Sequence, residues 1–231
     1  MHEPRKKLLS WLWPSLILSL LGLMALSVDL PVARWCLAGN VPSALKDVLQ
    51  ISEAFGHGIG VVLILITVAV LDPARRWAIP RLIMASLGAG LIANIGKLAI
   101  VRIRPHHGEL PGDVWASFHE WMPMGFAHSY EEGFPSSHTA VGVGLAIGLA
   151  SLYPRGRWWF AILATLVALQ RVEVGAHYLS DACFGAAVGT AVGTLTMQLR
   201  SLGYLGNKLE RWLASKKGAN AAYHSPQSAA S

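Results

Sequence analysis

The sequence predicts an all-α protein, a six-transmembrane-helix bundle with the active site near the outer membrane face. Three observations carry that expectation. Hydrophobic residues make up 53% of the 231 residues and charged residues 14%, at a mean hydropathy of +0.45, whereas a soluble domain usually holds about 25% charged residues. Six apolar runs recur along the chain, each near the length that crosses a bilayer as a helix. Four of these runs carry isolated ionisable residues toward the same end. A charge at mid-membrane depth costs about 2.5–3.5 kcal/mol on insertion scales, so such residues are candidates for function.

The elements follow in chain order. Residues 8–28 contain no charge and follow a basic start at Arg5, Lys6 and Lys7. The run exceeds the ~7–15 apolar residues of a signal peptide, so an uncleaved first helix is expected despite the faint cleavage-like Ala25-Leu26-Ser27. Residues 29–54 read as an outer loop with one short surface helix over 43–54. The second span is 55–71, entered through Gly56-His57-Gly58, with His57 a structural hydrogen-bonder. A basic loop, 72–81, leads to the third span, 82–101. Residues 102–134 form the longest polar segment. It carries Trp115, Phe118, Trp121, Met122 and Met124, amphipathic bodies suited to headgroup level. Its histidines, His106, His107, His119 and His128, lack ligand spacing and read as surface residues. The fourth, fifth and sixth spans are 135–153, 158–174 and 178–199. Gly144, Gly148, Gly185, Gly189 and Gly193 recur every four residues, which lets helices approach closely in lipid. The domain reading is therefore a first helix and outer loop at 1–54, a membrane core at 55–199, and a basic, partly disordered tail at 200–231. The two cysteines, Cys36 and Cys183, imply no disulfide and no zinc site.

Charge distribution sets the expected orientation. Most of the 19 Lys and Arg residues fall on the termini, the 72–81 loop and the 154–157 turn. The positive-inside rule places these, and both termini, in the cytoplasm. Lys97, His138, Arg171 and Asp181 then lie about 24, 22, 20 and 29 Å from the cytoplasmic helix ends. They share a height just inside the outer boundary of a hydrocarbon layer ~30 Å thick. The +6 net charge forms no basic-aromatic stripe, so nucleic acid is not an expected partner.

The residues at that height suit an anion. Lys97 and Arg104 are seven apart, so they are expected on one face of a helix ended by Pro105. Pro135-Ser136-Ser137-His138 opens the fourth span, where unpaired helix-start N–H groups favour phosphate oxygens. Arg171 adds a planar fork suited to phosphate. His177 and Asp181, four apart, share a helix face, so the carboxylate can accept a proton from one ring nitrogen and leave the other reactive. Three cations, a helix start and two histidines fit phosphoryl transfer in which side chains replace the usual metal. Glu173 gains no role; a solvated rim position is expected, with Arg102 or Arg171 as the alternative partner.

These residues stand as Lys97…Arg104-Pro105, Pro135-Ser136-Ser137-His138 and Gln170-Arg171…His177…Asp181. In that order they resemble the three motifs of the type 2 phosphatidic acid phosphatase (PAP2) family of integral membrane lipid phosphatases, over roughly residues 55–199. The resemblance implies a phosphoric monoester hydrolase that takes a phosphorylated lipid from the bilayer and needs no metal or other cofactor. It implies His177 as the nucleophile, Asp181 as its orienting partner, and His138 as general acid and then base. Lys97, Arg104, Arg171, the Ser136 hydroxyl and the Ser137 N–H would hold the phosphate. Two positions depart from the family pattern. Ser137 replaces a glycine and Gln170 a serine, and both bear on substrate fit more than on chemistry. A bacterial inner membrane is the expected location. The alternatives are a lipid phosphotransferase using the same histidine and a non-catalytic phosphate-lipid transporter.

Overall fold

The computed structural model describes residues 3–121 and 132–198, with side chains from residue 12 onward except at 120. The expectations for Arg5, Lys6, Lys7, Met122, Met124, His128 and the 200–231 tail lie outside what is described. Eight α-helices are present among the described residues. They are α1 (Glu3–Ala25), α2 (Asp29–Leu37), α3 (Ser43–Ser52), α4 (Gly58–Leu71), α5 (Ile79–Lys97), α6 (Ser137–Leu152), α7 (Arg157–Glu173) and α8 (Leu179–Gln198). Six of them, α1 and α4 through α8, fall on the predicted apolar runs. Judged by length and composition, the helical segment Pro73–Lys97 is the one described helix able to cross a membrane unaided. The pairs Leu12–Ala25 with Asp29–Leu37 and Ser43–Phe55 with Gly58–Leu71 qualify when joined, bent by 74° and 66°.

Helix α6 is the axis of the bundle. Its buried face runs from Thr139 to Leu152, and α5, α7 and α8 pack around it, while α1 lies along α8. The main core joins Phe55, Val61 and Leu65 to Leu82, Leu145, Leu149 and Val167. The predicted glycine pattern falls on these crossings. A Cβ at Gly185 would sit 2.3 Å from the Ser136 carbonyl oxygen, so the start of α8 lies directly against the start of α6. The outer surface is apolar. Leu16, Ile17 and Leu20 of α1, Leu63 and Ile66 of α4, Leu91 and Ile92 of α5, and Trp158 and Trp159 of α7 are all exposed. A contiguous apolar exterior of this kind marks a lipid or interaction surface.

Two expectations are corrected here. Residues 29–54 are not a loop with one surface helix. Asp29 opens a second helix, α2, whose Leu30, Ala33 and Cys36 are buried against Tyr178, Val172 and Ala182. Lys97 and Arg104 do not share a helix face either. Helix α5 stops at Lys97, and the chain continues as strand β1 (Ile100–Arg102), antiparallel to β2 (Phe118–Trp121). The β-branched Ile100-Val101 pair favours the extended form, and pairing of Val101 with Glu120 takes up its backbone groups. The exposed Trp115 and Trp121 lie in this segment, as expected for amphipathic side chains at a membrane rim.

Candidate active site

One end of the bundle gathers the predicted residues. Helix α7 ends at Glu173, and Gly175, at φ 68°, reverses the chain into α8. His177 sits in that reversal and is 2% exposed. Its backbone N–H donates to the Arg171 carbonyl at 3.1 Å. Its Nδ1 lies 2.6 Å from the Gly133 carbonyl oxygen. A carbonyl only accepts, so Nδ1 carries the proton and Nε2 keeps its lone pair.

Asp181 does not receive that proton, contrary to the expected pairing. Its Oδ2 is 3.9 Å from His177 Nδ1, beyond hydrogen-bond reach. Both oxygens are otherwise engaged, Oδ2 by the Tyr178 N–H at 2.7 Å and Oδ1 by Arg102. Arg102 is fully buried and was not predicted. It binds Asp181, Ser180 Oγ at 2.8 Å, Asp29 at 2.7 Å and Ser117 Oγ at 3.0 Å. The rings of Tyr178 and Phe118 face the guanidinium at 4.1 and 4.4 Å. Asp29 also accepts from the Ser180 N–H at 2.9 Å. Two carboxylates thus cap the N-terminus of α8, where they complement its dipole. The Arg102 carbonyl accepts from the Gly133 N–H at 2.8 Å, and the Gly133 carbonyl in turn takes His177. Arg102 therefore supports His177 through its backbone and Asp181 through its side chain.

Gly133 is confined by this arrangement. A Cβ there would lie 2.5 Å from the Arg102 carbonyl oxygen, closer than side chains approach backbone. Gly133→Ala is expected to push the 132–134 segment away, lengthen the His177 contact and lower kcat about 10–100-fold, with KM changed less. Steady-state kinetics of the purified variant check this, and an unchanged kcat would remove Gly133 from the support of His177.

The second histidine and the cations converge on the same end. Ser136 caps α6, its Oγ accepting from the Thr139 N–H at 3.4 Å and hydroxyl at 3.0 Å. Its own N–H is taken by the Asp181 carbonyl at 3.1 Å, which ties α6 to α8. Ser137 is the first residue of α6 and has no left-handed backbone, so the position does not require glycine. Lys97 Nζ lies 3.3 Å from Ser137 Oγ and 3.9 Å from Glu132. The charges of Lys97, Arg104 and Arg171 all act on both His138 and His177. Burial pulls the Arg104 guanidinium below its usual value, and Glu132 and Asp181 pull it back; it stays a permanent cation. The Nε atoms of Arg104 and Arg171 are buried with no acceptor among the described residues.

Three further contacts refine the sequence reading. His57 caps α4, its Nδ1 accepting from the Ile59 N–H at 3.3 Å, as a structural hydrogen-bonder should; its ring also faces that of His138 at 5.7 Å. Glu173 is neither a solvated rim residue nor a partner of Arg102 or Arg171. It is 13% exposed and pairs with Lys46 at 3.6 Å, joining α3 to α7. Glu53 was missed altogether, although it contacts Arg171, Gln170 and His138. A groove of about 310 Å³ between α4 and α5 reaches the site, lined by Gly56, His57, Gly90, Asn94, Ser137 and His138. Its lining includes Leu91, which is exposed on the apolar exterior of the bundle. A larger groove, about 440 Å³, lies among α1, α6, α7 and α8 and contains none of the site's histidines.

An apolar-faced helical bundle thus gathers two histidines and three cations at one end, an inventory suited to phosphoryl transfer. The chain belongs to the PAP2 superfamily, whose family model matches residues 79–202, and it is a phosphoric monoester hydrolase of that type. It is 31% identical over 208 residues to the lipid A 1-phosphatase of Rhizobium etli, a match covering 80% of this chain and 83% of that protein. It is 39% identical over 125 residues to the lipid A 1-phosphatase of Rhizobium johnstonii, covering 52% of this chain and 47% of that one. Its fold resembles the crystal structure of Aquifex aeolicus LpxE, with a TM-score of 0.53 at 17% identity over 74% of this chain and 96% of the other. It also resembles the transmembrane PAP2-type phosphatidylglycerolphosphate phosphatase of Bacillus subtilis, with a TM-score of 0.57 at 16% identity over 79% and 94%.

Proposed function

We propose that this chain is a lipid phosphatase that removes a phosphate or pyrophosphate headgroup through a phosphohistidine on His177, without a metal. The observation that carries the mechanism is the Gly133 carbonyl on His177 Nδ1, which leaves Nε2 as the free nucleophile beside three cations. Nε2 attacks phosphorus, the bond from phosphorus to the lipid oxygen breaks, and His138 donates a proton to that oxygen. Water, deprotonated by His138, then attacks the phosphohistidine and releases orthophosphate. Lys97, Arg104 and Arg171 offset the charge on the transferring group, helped by the Ser136 hydroxyl and the Ser137 N–H at the start of α6. Asp181 orients the turn that carries His177 by holding the Tyr178 N–H.

The phosphates of lipid A are the favoured substrates, since the two curated relatives carry that activity in their names. The groove between α4 and α5 supports lateral entry, the acyl chains staying in the bilayer while the headgroup meets the histidines. Six apolar runs support six crossings, and the positive-inside count supports cytoplasmic termini and an outward-facing site; the family resemblance supports a bacterial inner membrane.

Phosphate release by detergent-purified protein tests this reading. The panel is lipid A 1-phosphate, phosphatidylglycerophosphate, phosphatidic acid and an isoprenyl pyrophosphate, each with and without EDTA. Release from lipid A that EDTA does not reduce is the expected result. Loss with EDTA would overturn the metal-free step. Binding without release on the whole panel would favour a transporter, and appearance of the phosphate on an added acceptor lipid would favour a phosphotransferase.

A further inference from the structure

Glu53 occupies a position that phosphate binding alone does not call for. It follows α3 in the single turn Glu53–Phe55, which packs against α7. Its Oε1 accepts from Arg171 Nη1 at 2.7 Å and lies 3.9 Å from His138 Nε2. Its Oε2 lies 3.4 Å from the Gln170 amide nitrogen, while the Gln170 amide oxygen accepts from Arg171 Nη1 at 3.2 Å. Glu53, Gln170 and Arg171 therefore form a closed triangle, and Gln170, the departure from the family's serine, is one of its corners. The pair is partly accessible, with side-chain exposures of 32% for Glu53 and 12% for Arg171.

A carboxylate here has a definite electrostatic consequence. Nη1 of Arg171 is committed to Glu53 and Gln170, which leaves Nη2 and the buried Nε to meet a phosphoryl group. A phosphoryl group on that edge must share the guanidinium charge with the Glu53 carboxylate and meets like-charge repulsion from it. Lys97 has a comparable acidic neighbour in Glu132, but at 3.9 Å, with that side chain 37% exposed. Three cationic side chains would otherwise hold orthophosphate tightly after hydrolysis, and slow product release often limits turnover.

We propose that Glu53 is a release-determining residue, whose carboxylate competes with the phosphoryl group for Arg171 and weakens retention of orthophosphate. The inference rests on the phosphatase reading above and deepens it. Glu53 forms no bond to phosphorus; it acts through Arg171.

Calorimetric titration of the detergent-purified full chain with inorganic phosphate, alongside kinetics on the preferred lipid phosphate, tests the proposal. Glu53→Gln keeps the shape and an acceptor for Arg171 but removes the charge. It is expected to bind inorganic phosphate about tenfold more tightly, the scale of a partly screened charge contact. Lower KM and lower kcat should accompany that gain. Glu53→Ala should move binding the same way, which guards against a fold defect peculiar to one variant. A structural lesion cannot tighten anion binding, so unchanged or weaker phosphate binding by both variants overturns the proposal. Because binding is read without turnover, the two readings fail separately. Tighter binding with no hydrolysis by the unaltered protein would retire the phosphatase reading and uphold the competition.

Discussion

Replacing His177 with alanine is expected to reduce phosphate release by a factor on the order of 10⁴ or more, as removal of a nucleophile does in other covalent enzymes. The protein should still fold. The side chain contributes one hydrogen bond, to the Gly133 carbonyl, worth about 1 kcal/mol net. Thermal unfolding in detergent should therefore shift by only a few degrees, and lipid binding should persist. Acid-labile or hydroxylamine-sensitive labelling by a radioactive lipid phosphate should be lost together with turnover. Robust release by the folded variant would exclude a phosphohistidine at this position. The geometry also sets what Asp181 does. Standing 3.9 Å from Nδ1, it holds the Tyr178 N–H of the turn, while the Gly133 carbonyl accepts from Nδ1.

The second large effect is expected at Arg102, which touches neither histidine. Its guanidinium is fully buried between Asp29 and Asp181, themselves fully buried. Arg102→Met would leave two carboxylates without their counter-charge, at a cost of about 3–5 kcal/mol, because a broken buried pair strands its charge in low dielectric. The unfolding midpoint should fall by on the order of 10 °C, and activity should fall with it as α2, β1 and α8 separate. Adding Asp29→Asn to that variant removes one stranded charge and should restore part of the loss. An Arg102→Met protein as stable as the unaltered one would show that the network contributes no net stability.

The two effects differ in how visible they are before folding. His177, His138, Lys97, Arg104 and Arg171 stand out because each is an ionisable residue at the edge of an apolar run. Membrane depth and the rise of a helix are local quantities that can be counted along a chain. Arg102 and Asp29 carry the same signal, charge at the edge of an apolar run, yet no short spacing links them; they are 73 residues apart and meet only because α2 folds back over α8. Glu53 and Arg171 are separated by 118 positions, Gly133 and His177 by 44. The helix face expected to carry both Lys97 and Arg104 failed for a related reason. A seven-residue spacing projects two side chains together only while the helix continues, and pairing of β1 with β2 ended it at Lys97.

The sequence alone determined where the apolar helices lie, which residues are candidates for chemistry, and that they cluster toward one end, because hydrophobic length and charge are properties of contiguous residues. The tertiary structure decided which partner each active group keeps: a peptide carbonyl for His177, an arginine for Asp181, a glutamate for Arg171. Those partners come from distant segments, and a buried hydrogen bond or ion pair forms wherever packing brings donor and acceptor within about 3 Å, a condition no single stretch of chain expresses.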